Sequence, residues 1–126
     1  MNKYHEEIME NVRKLRESST AVIVEGIKDK LALEELGIKN IITLNKRPLF
    51  EIVEEVSDNY EKCAILTDLD KEGKKLFGKL NSGLSLHGVK VDNHFREFLF
   101  KKTKLRQIEG IDSYVENNQN QNSLDL

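Results

Sequence analysis

This 126-residue chain has a single cysteine, no long hydrophobic run and no excess of positive charge. Cys63 lies inside an apolar segment, so we expect a buried thiol rather than a disulfide, a soft-metal ligand or a nucleophile. No apolar stretch approaches the ~20 residues of a membrane span, and charged residues stand where a signal peptide has its apolar core. The net charge of -2 provides no overall attraction to nucleic acid. These absences predict a cytoplasmic protein whose basic surface is at most local.

Strand-like and helix-like patterns alternate along the chain. Residues 3–17 have apolar side chains at helical spacing, which predicts an amphipathic lead-in helix over 1–18. A domain over 19–116 and a disordered polar tail over 117–126 follow. Gly83 and Gly88 predict a loose connection before the last strand. Strands are expected at 21–24, 40–44, 62–67 and 89–91, with helices at 28–36, from Pro48, at 71–81 and from about His94.

This alternation indicates the fold class. Strands that alternate with helices at this spacing favour right-handed crossovers and a parallel sheet covered on both faces. The sequence therefore predicts a three-layer α/β/α sandwich around a four-stranded, mainly parallel sheet.

Acidic residues follow the third predicted strand, in the run Thr67-Asp68-Leu69-Asp70-Lys71-Glu72-Gly73. Side chains two apart in an extended chain point the same way, so Asp68 and Asp70 converge. Neighbouring carboxylates repel unless a proton or a cation lies between them, and oxygen ligands suit magnesium or manganese. The run therefore predicts a metal site. The alternative is that these acids only cap the following helix.

A calcium-binding loop is a second alternative for this run. Acids occupy its first, third and fifth positions, and Gly73 occupies the sixth. The twelfth position, which should hold a bidentate glutamate, is Lys79, and the preceding residues indicate a strand rather than a helix. The sequence therefore excludes a calcium loop.

A second acidic turn follows the first predicted strand. Glu25 ends that strand, Gly26 is expected to let the backbone turn tightly, and Asp29 is expected to face the same cleft from the first helical turn. Ligands of open α/β sheets collect at the carboxyl ends of the strands. If the first and third strands are neighbours, Glu25 shares one cleft with Asp68 and Asp70. The alternative is that these residues are exposed loop and helix-start acids.

The run Glu25-Gly26-Ile27-Lys28-Asp29 together with the Asp68 run resembles the Toprim domain of topoisomerases, primases and the nuclease that matures 5S ribosomal RNA. The resemblance covers about residues 21–115. It implies a Rossmann-like fold and Mg2+, with Mn2+ as a substitute. It also implies a general acid or base, or a metal ligand, at Glu25, paired metal ligands at Asp68 and Asp70, a third acid at Glu72, and supporting roles for Gly26, Asp29 and Gly73.

The leading hypothesis is a magnesium-dependent nuclease or phosphotransfer enzyme acting on phosphodiester bonds of RNA or DNA, with Glu25, Asp68 and Asp70 as catalytic residues. The chain lacks the additional domains of topoisomerases and primases, so the resemblance favours a stand-alone protein similar to the 5S ribosomal RNA maturation nuclease. One alternative is a non-catalytic, metal-dependent module that binds nucleic acid or a nucleotide and needs a protein partner or a second copy. Another is a regulatory domain that binds magnesium without nucleic acid.

Basic residues are concentrated over 94–106, where five stand against one acidic residue, a local charge of +4. Such a segment predicts contacts with nucleic-acid phosphates, whereas the plainer interpretation is a solvated face. Other candidates lie just past the strand ends. The full set of candidate phosphate contacts is Lys28, Lys46, Arg47, Lys74, Arg96, Lys101, Lys102, Lys104 and Arg106.

Overall fold

A computed structural model describes residues 4–116 of the protein, so the predicted tail over 117–126 lies outside the described residues. Near the end of the described chain, a 3-10 turn spans Ile108–Gly110, and residues 111–116 are helical. The strands are β1 (Ala21–Val24), β2 (Ile41–Thr43), β3 (Lys62–Ile65) and β4 (Lys90–Val91). The helices are α1 (His5–Glu17), α2 (Ile27–Glu35), α3 (Leu49–Asn59), α4 (Lys71–Leu86) and α5 (His94–Lys102).

The four strands form one sheet in the order β2-β1-β3-β4, and every pairing is parallel. Val22 lies opposite Ile41 on one side of β1 and opposite Ala64 on the other. The predicted α/β sandwich with a parallel sheet is confirmed. Because β1 and β3 are neighbours, the two acidic turns that follow them lie side by side.

Alternate residues of the central strands face two separate hydrophobic layers. Val22, Val24 and Ala64 pack beneath α1, α2, α5 and the chain after α5. Ile23 and Ile65 pack beneath α3 and α4 on the other side of the sheet. None of the helices within residues 4–116 is both long enough and apolar enough to cross a bilayer.

Cys63 lies in the second of these layers and is fully buried. Burial raises the pKa of its thiol to about 12, which leaves the thiolate form unpopulated at neutral pH. The expectation of a buried structural thiol is confirmed.

Helix α4 is longer than the sequence pattern predicted. It continues through Gly83 to Leu86, so the loose connection expected between Gly83 and Gly88 is wrong. A methyl group on Gly83 would lie 3.1 Å from Cγ2 of Val53, which shows how closely α4 approaches α3 at this point. The glycine permits helix packing here and does not end the helix.

The junction between β3 and α4 is held by a close backbone approach. Gly73 lies in the first turn of α4, and its N–H donates to Oδ1 of Asp70 at 2.7 Å. Its carbonyl oxygen accepts a 2.7 Å hydrogen bond from the buried Thr67 hydroxyl. A methyl group on Gly73 would lie 2.1 Å from the carbonyl oxygen of Asp68, a distance that no rotamer change can relieve. This junction therefore requires glycine.

We expect Gly73→Ala to lower the free energy of unfolding by about 3 kcal/mol, because the backbone of Asp68 or the first turn of α4 must move. Gly78→Ala is the matched control, since nothing lies within 4 Å of a methyl group there. That change in an exposed helix position should raise stability by roughly 0.5–1 kcal/mol. Urea unfolding of both variants checks the prediction, and a Gly73→Ala protein as stable as wild type would contradict it.

Candidate metal centre

Glu25 and Asp68 meet at the carboxyl edge of the sheet. Oε2 of Glu25 accepts a hydrogen bond from the backbone N–H of Asp68 at 2.7 Å, and the two side chains lie within hydrogen-bonding reach of each other. The backbone carbonyl of Glu25 accepts from Asn45 N–H at 3.0 Å, which joins the turn after β2 to the same edge. The two acidic turns therefore share one cleft, as the sequence predicted.

The carboxylate of Asp68 is oriented by the chain that follows α5. Its Oδ1 accepts a 2.8 Å hydrogen bond from the backbone N–H of Ile108. The N–H of Leu69 donates to the carbonyl oxygen of Arg106 at 3.0 Å. The sequence could not predict the hydrogen bond from Ile108 to Asp68, because its donor is a backbone N–H, which every residue except proline has.

Asp70 is the N-cap of α4, since its Oδ1 accepts the Gly73 N–H. The capping interpretation therefore holds for Asp70, which is exposed and still close enough for its charge to act on Glu25 and Asp68. Glu72 is exposed in the first turn of α4. Within residues 4–116 we find no hydrogen bond that joins Glu72 to the other acids.

Asp29 is buried in the first turn of α2, with 7% of its surface exposed. Its Oδ2 accepts from the Gly26 N–H at 3.0 Å, and the backbone of Glu109 also approaches its carboxylate. Gly26 has φ -147° and ψ -176°, an extended conformation open to any residue. The chain bends at Gly26 as predicted, but an N-cap position adopts ordinary β-region angles, so the bend does not require glycine.

Burial and mutual repulsion raise the pKa values of the clustered acids. Burial raises the pKa of Glu25 most, the Asp68 N–H lowers it, and the charges of Asp68, Asp70 and Asp29 raise it further. For Asp68, burial again raises the pKa, the Ile108 N–H lowers it, and nearby Asp70 and Glu109 raise it. Burial also raises the pKa of Asp29. The site therefore favours a proton or a cation among its carboxylates.

The donor set fits a hard divalent cation. Within residues 4–116, the acids Glu25, Asp29, Asp68 and Asp70 form no salt bridge, and their hydrogen bonds come from backbone N–H groups without net charge. Carboxylate oxygens are the ligands that magnesium and manganese prefer. In that same part of the chain no three His, Cys, Asp or Glu side chains are grouped closely enough to hold a metal ion.

The predicted phosphate contacts fall into two groups. The arginines are engaged within the protein: Arg47 pairs with Glu51 and Glu55, and Arg106 donates to carbonyl oxygens at the end of α5. Arg96 turns inward beneath Asp68. The exposed lysines are Lys28, Lys46, Lys74, Lys101, Lys102 and Lys104.

A groove of about 1230 Å³ adjoins the acidic cluster. It lies between α2 and the chain after α5, and Lys28 and Lys104 both line it. Asp70 lines the groove as well, and Leu31 and Leu105 are among its apolar side chains. The groove therefore reaches the acidic cluster at Asp70, and its walls carry apolar, basic and further acidic groups.

Thr67 is a site residue to which the sequence assigned no role. It is fully buried, its hydroxyl anchors the first turn of α4, and its carbonyl oxygen accepts from Nε of Arg96. The only sequence signal is a polar β-branched residue at the end of an apolar run.

Sequence comparison places these acids within a described family. The Toprim-like family profile matches residues 22–103. A UPF0292 protein of Pyrococcus abyssi is 40% identical over 102 residues, which cover 80% of this chain and 76% of that protein. A UPF0292 protein of Methanocaldococcus jannaschii is 30% identical over 120 residues, covering 90% of this chain and 94% of its own length.

Two solved structures from Aquifex aeolicus share the fold. One protein is 34% identical with a TM-score of 0.74, and the match covers 82% of this chain and 94% of that chain. The other is the primase, with its zinc-binding and RNA polymerase domains, at 23% identity and a TM-score of 0.63. That match covers 87% of this chain and 26% of the primase chain, and it shows the fold alone.

Neutralising one clustered acid should stabilise the metal-free protein at neutral pH. The folded state holds protons on Glu25 and Asp68 at a higher pKa than the unfolded state does. Stability is therefore lost as the pH rises from the ordinary carboxyl pKa through the raised one. In chelator-treated protein at pH 7.5, we expect Glu25→Gln or Asp68→Asn to gain on the order of 1 kcal/mol, after discounting for solvent screening.

Thermal unfolding at pH 7.5 and pH 4.5 measures this effect. The gain should shrink at the lower pH, where a larger fraction of the wild-type acids is protonated in the folded state. Glu54→Gln on the exposed face of α3 is the control, with an expected change within about 0.5 kcal/mol. A gain of the same size at both pH values would contradict the assigned cause.

Proline at position 108 would remove the N–H that the Asp68 carboxylate accepts. Ile108 opens the 3-10 turn, and Gln107 before it is extended at φ -128° and ψ 133°, as a residue preceding proline must be. Ile108→Pro should leave Asp68 with a higher pKa than Ile108→Val, which keeps the N–H and a side chain of similar size. It should also be about 1–2 kcal/mol less stable than that control at neutral pH. Carboxyl carbon NMR titration and urea unfolding test both effects, and matching results for the two variants would contradict the prediction.

Proposed function

The chain belongs to the Toprim-like family, and we propose that it is a magnesium-dependent nuclease or phosphotransfer enzyme that acts on phosphodiester bonds of RNA or DNA. Toprim-like domains typically bind a divalent metal, and membership points to a function related to nucleic acid. The observation that carries the proposal is the convergence of Glu25, Asp68 and Asp70 at one sheet edge without a cationic partner in the described chain.

Asp68 and Asp70 are the residues that would hold the ion. Glu72 remains a candidate for an outer contact through water. When bound, a magnesium ion neutralises phosphate charge, orients the scissile bond and polarises water or the leaving oxygen. The protein contributes the fixed direction of these carboxylates, each of which has one oxygen held by a backbone N–H.

Glu25 is the proposed general acid or base. Its Oε2 is held by the Asp68 N–H, so Oε1 is the atom left to accept or release a proton. Burial and the neighbouring acids raise its pKa, which brings protonation closer to neutral pH. A carboxyl group in this environment can exchange a proton with a water molecule or a sugar oxygen.

The groove beside Asp70 is the proposed path for a nucleic-acid strand. Lys28 and Lys104 provide positive charge along it beside the acidic Glu35, Glu109 and Asp112, and its apolar side chains provide surface for bases. A non-catalytic binding module is the second candidate. It is favoured by the finding that no three acids in residues 4–116 stand at ligating positions, so a partner or ligand would have to complete the site.

Asp68→Asn and Glu25→Gln separate these candidates. We expect Asp68→Asn to lose most magnesium binding by calorimetry, and both variants to lose cleavage by a factor of about 100 or more. The cleavage substrates are labelled structured RNA, single-stranded DNA and double-stranded DNA, each with magnesium or manganese. Glu54→Gln is the control and should match wild type.

The outcomes differ clearly between the candidates. Metal binding and nucleic-acid binding without turnover would favour the binding module. A folded Asp68→Asn protein with full cleavage activity would overturn the assigned site, and the absence of any metal binding by wild type would reduce the acids to helix capping and turn formation.

A further inference from the structure

Arg96 lies beneath the acidic cluster and donates hydrogen bonds to the backbone carbonyl groups of Thr67 and Asp68. It is the third residue of α5, and its Nε donates to the carbonyl oxygen of Thr67 at 2.9 Å. Its Nη2 donates to the carbonyl oxygen of Asp68, also at 2.9 Å. One guanidinium group therefore binds two successive peptide units.

Each of these peptide units is held at its other end as well. A peptide group is planar, so its carbonyl and N–H point in opposite directions. In the Thr67–Asp68 peptide, Arg96 holds the carbonyl and Glu25 accepts the N–H. In the Asp68–Leu69 peptide, Arg96 donates to the carbonyl oxygen, and the Leu69 N–H donates to the backbone carbonyl oxygen of Arg106. Both planes that flank the Asp68 side chain are thereby fixed in rotation.

Two aromatic rings hold the guanidinium in place. Its central carbon lies 4.6 Å from the ring centre of Phe77 in α4 and 5.1 Å from that of Phe100 in α5. Such contacts favour a cation and restrict its rotation. Arg96 is partly buried and uses two of its five N–H donors on carbonyl oxygens. A phosphate contact at Arg96 stays a prediction.

We propose that Arg96 is a positioning residue for the metal-binding acids, which directs the Asp68 N–H toward Glu25 and the Asp68 carboxylate toward the cleft. The inference rests on the proposed metal site. Lysine cannot replace arginine in this role, because its single ammonium lacks the rigid fork that reaches two carbonyl groups together. Arg96→Lys therefore keeps the positive charge and removes the simultaneous hydrogen bonds to two carbonyl groups.

The test measures manganese chloride binding by calorimetry and amide hydrogen exchange at Asp68 in metal-free protein. We expect Arg96→Lys to weaken manganese binding about 10-fold or more, as loss of an outer-shell support does elsewhere. The Asp68 amide should also exchange faster. Arg13→Lys is the matched control, since Arg13 uses its fork on Glu10 and Glu17 at the exposed face of α1. It should leave both measurements unchanged.

Each outcome decides the inference. A folded Arg96→Lys protein with wild-type manganese affinity and wild-type Asp68 exchange would overturn it, even if its melting temperature falls, because a merely structural role lowers stability alone. If wild type binds no manganese, the proposed function fails, and the exchange rate alone decides whether Arg96 positions Asp68. If Arg96→Lys does not fold, Phe77→Leu loosens one side of the guanidinium and should shift both measurements in the same direction; no shift would overturn the inference.

Discussion

The hydrogen bond from the Asp68 amide to the Glu25 carboxylate joins the ends of two parallel strands, and the rest of the site depends on it. The ladder between β1 and β3 continues until Leu66 N–H donates to Ile23, and beyond that point a side chain replaces the backbone acceptor. An apolar residue at position 25 would leave the Asp68 N–H unpaired. The same bond places two carboxylates together, so the strand connection and the negative charge of the site have one origin.

The carboxylates at this edge are oriented by groups that do not neutralise their negative charge. Backbone N–H groups orient Glu25, Asp29, Asp68 and Asp70, and the guanidinium of Arg96 is bound to carbonyl oxygens. The positive charge of Arg96 reduces the repulsion among the carboxylates without forming hydrogen bonds to their oxygens. A cation that binds only the folded state would recover the stability that crowding removes. Under the proposed function, the crowding that would favour a cation therefore lowers the stability of the cation-free protein.

The sequence predicted the features that follow from periodicity and from strand ends. Continuous apolar runs placed β1 and β3, and the parallel fold then brought Glu25 beside Asp68. It could not predict that α4 passes through Gly83, because a glycine that ends a helix and one that admits a neighbouring helix have the same local signature. The sequence also could not distinguish an arginine with an exposed side chain from one, such as Arg96, whose side chain donates to the backbone of the site. Charge along the chain does not show which side chains find carbonyl acceptors after folding.

The acids and the groups that orient them come from different parts of the chain. The family match ends at residue 103, whereas Ile108 and Arg106 hold Asp68 and Leu69 from beyond it. The segment after α5 also forms one wall of the groove, opposite α2. A ligand in that groove would therefore touch the same segment that sets the direction of the Asp68 carboxylate. The segment that lines the groove is therefore also the segment whose backbone orients the Asp68 carboxylate.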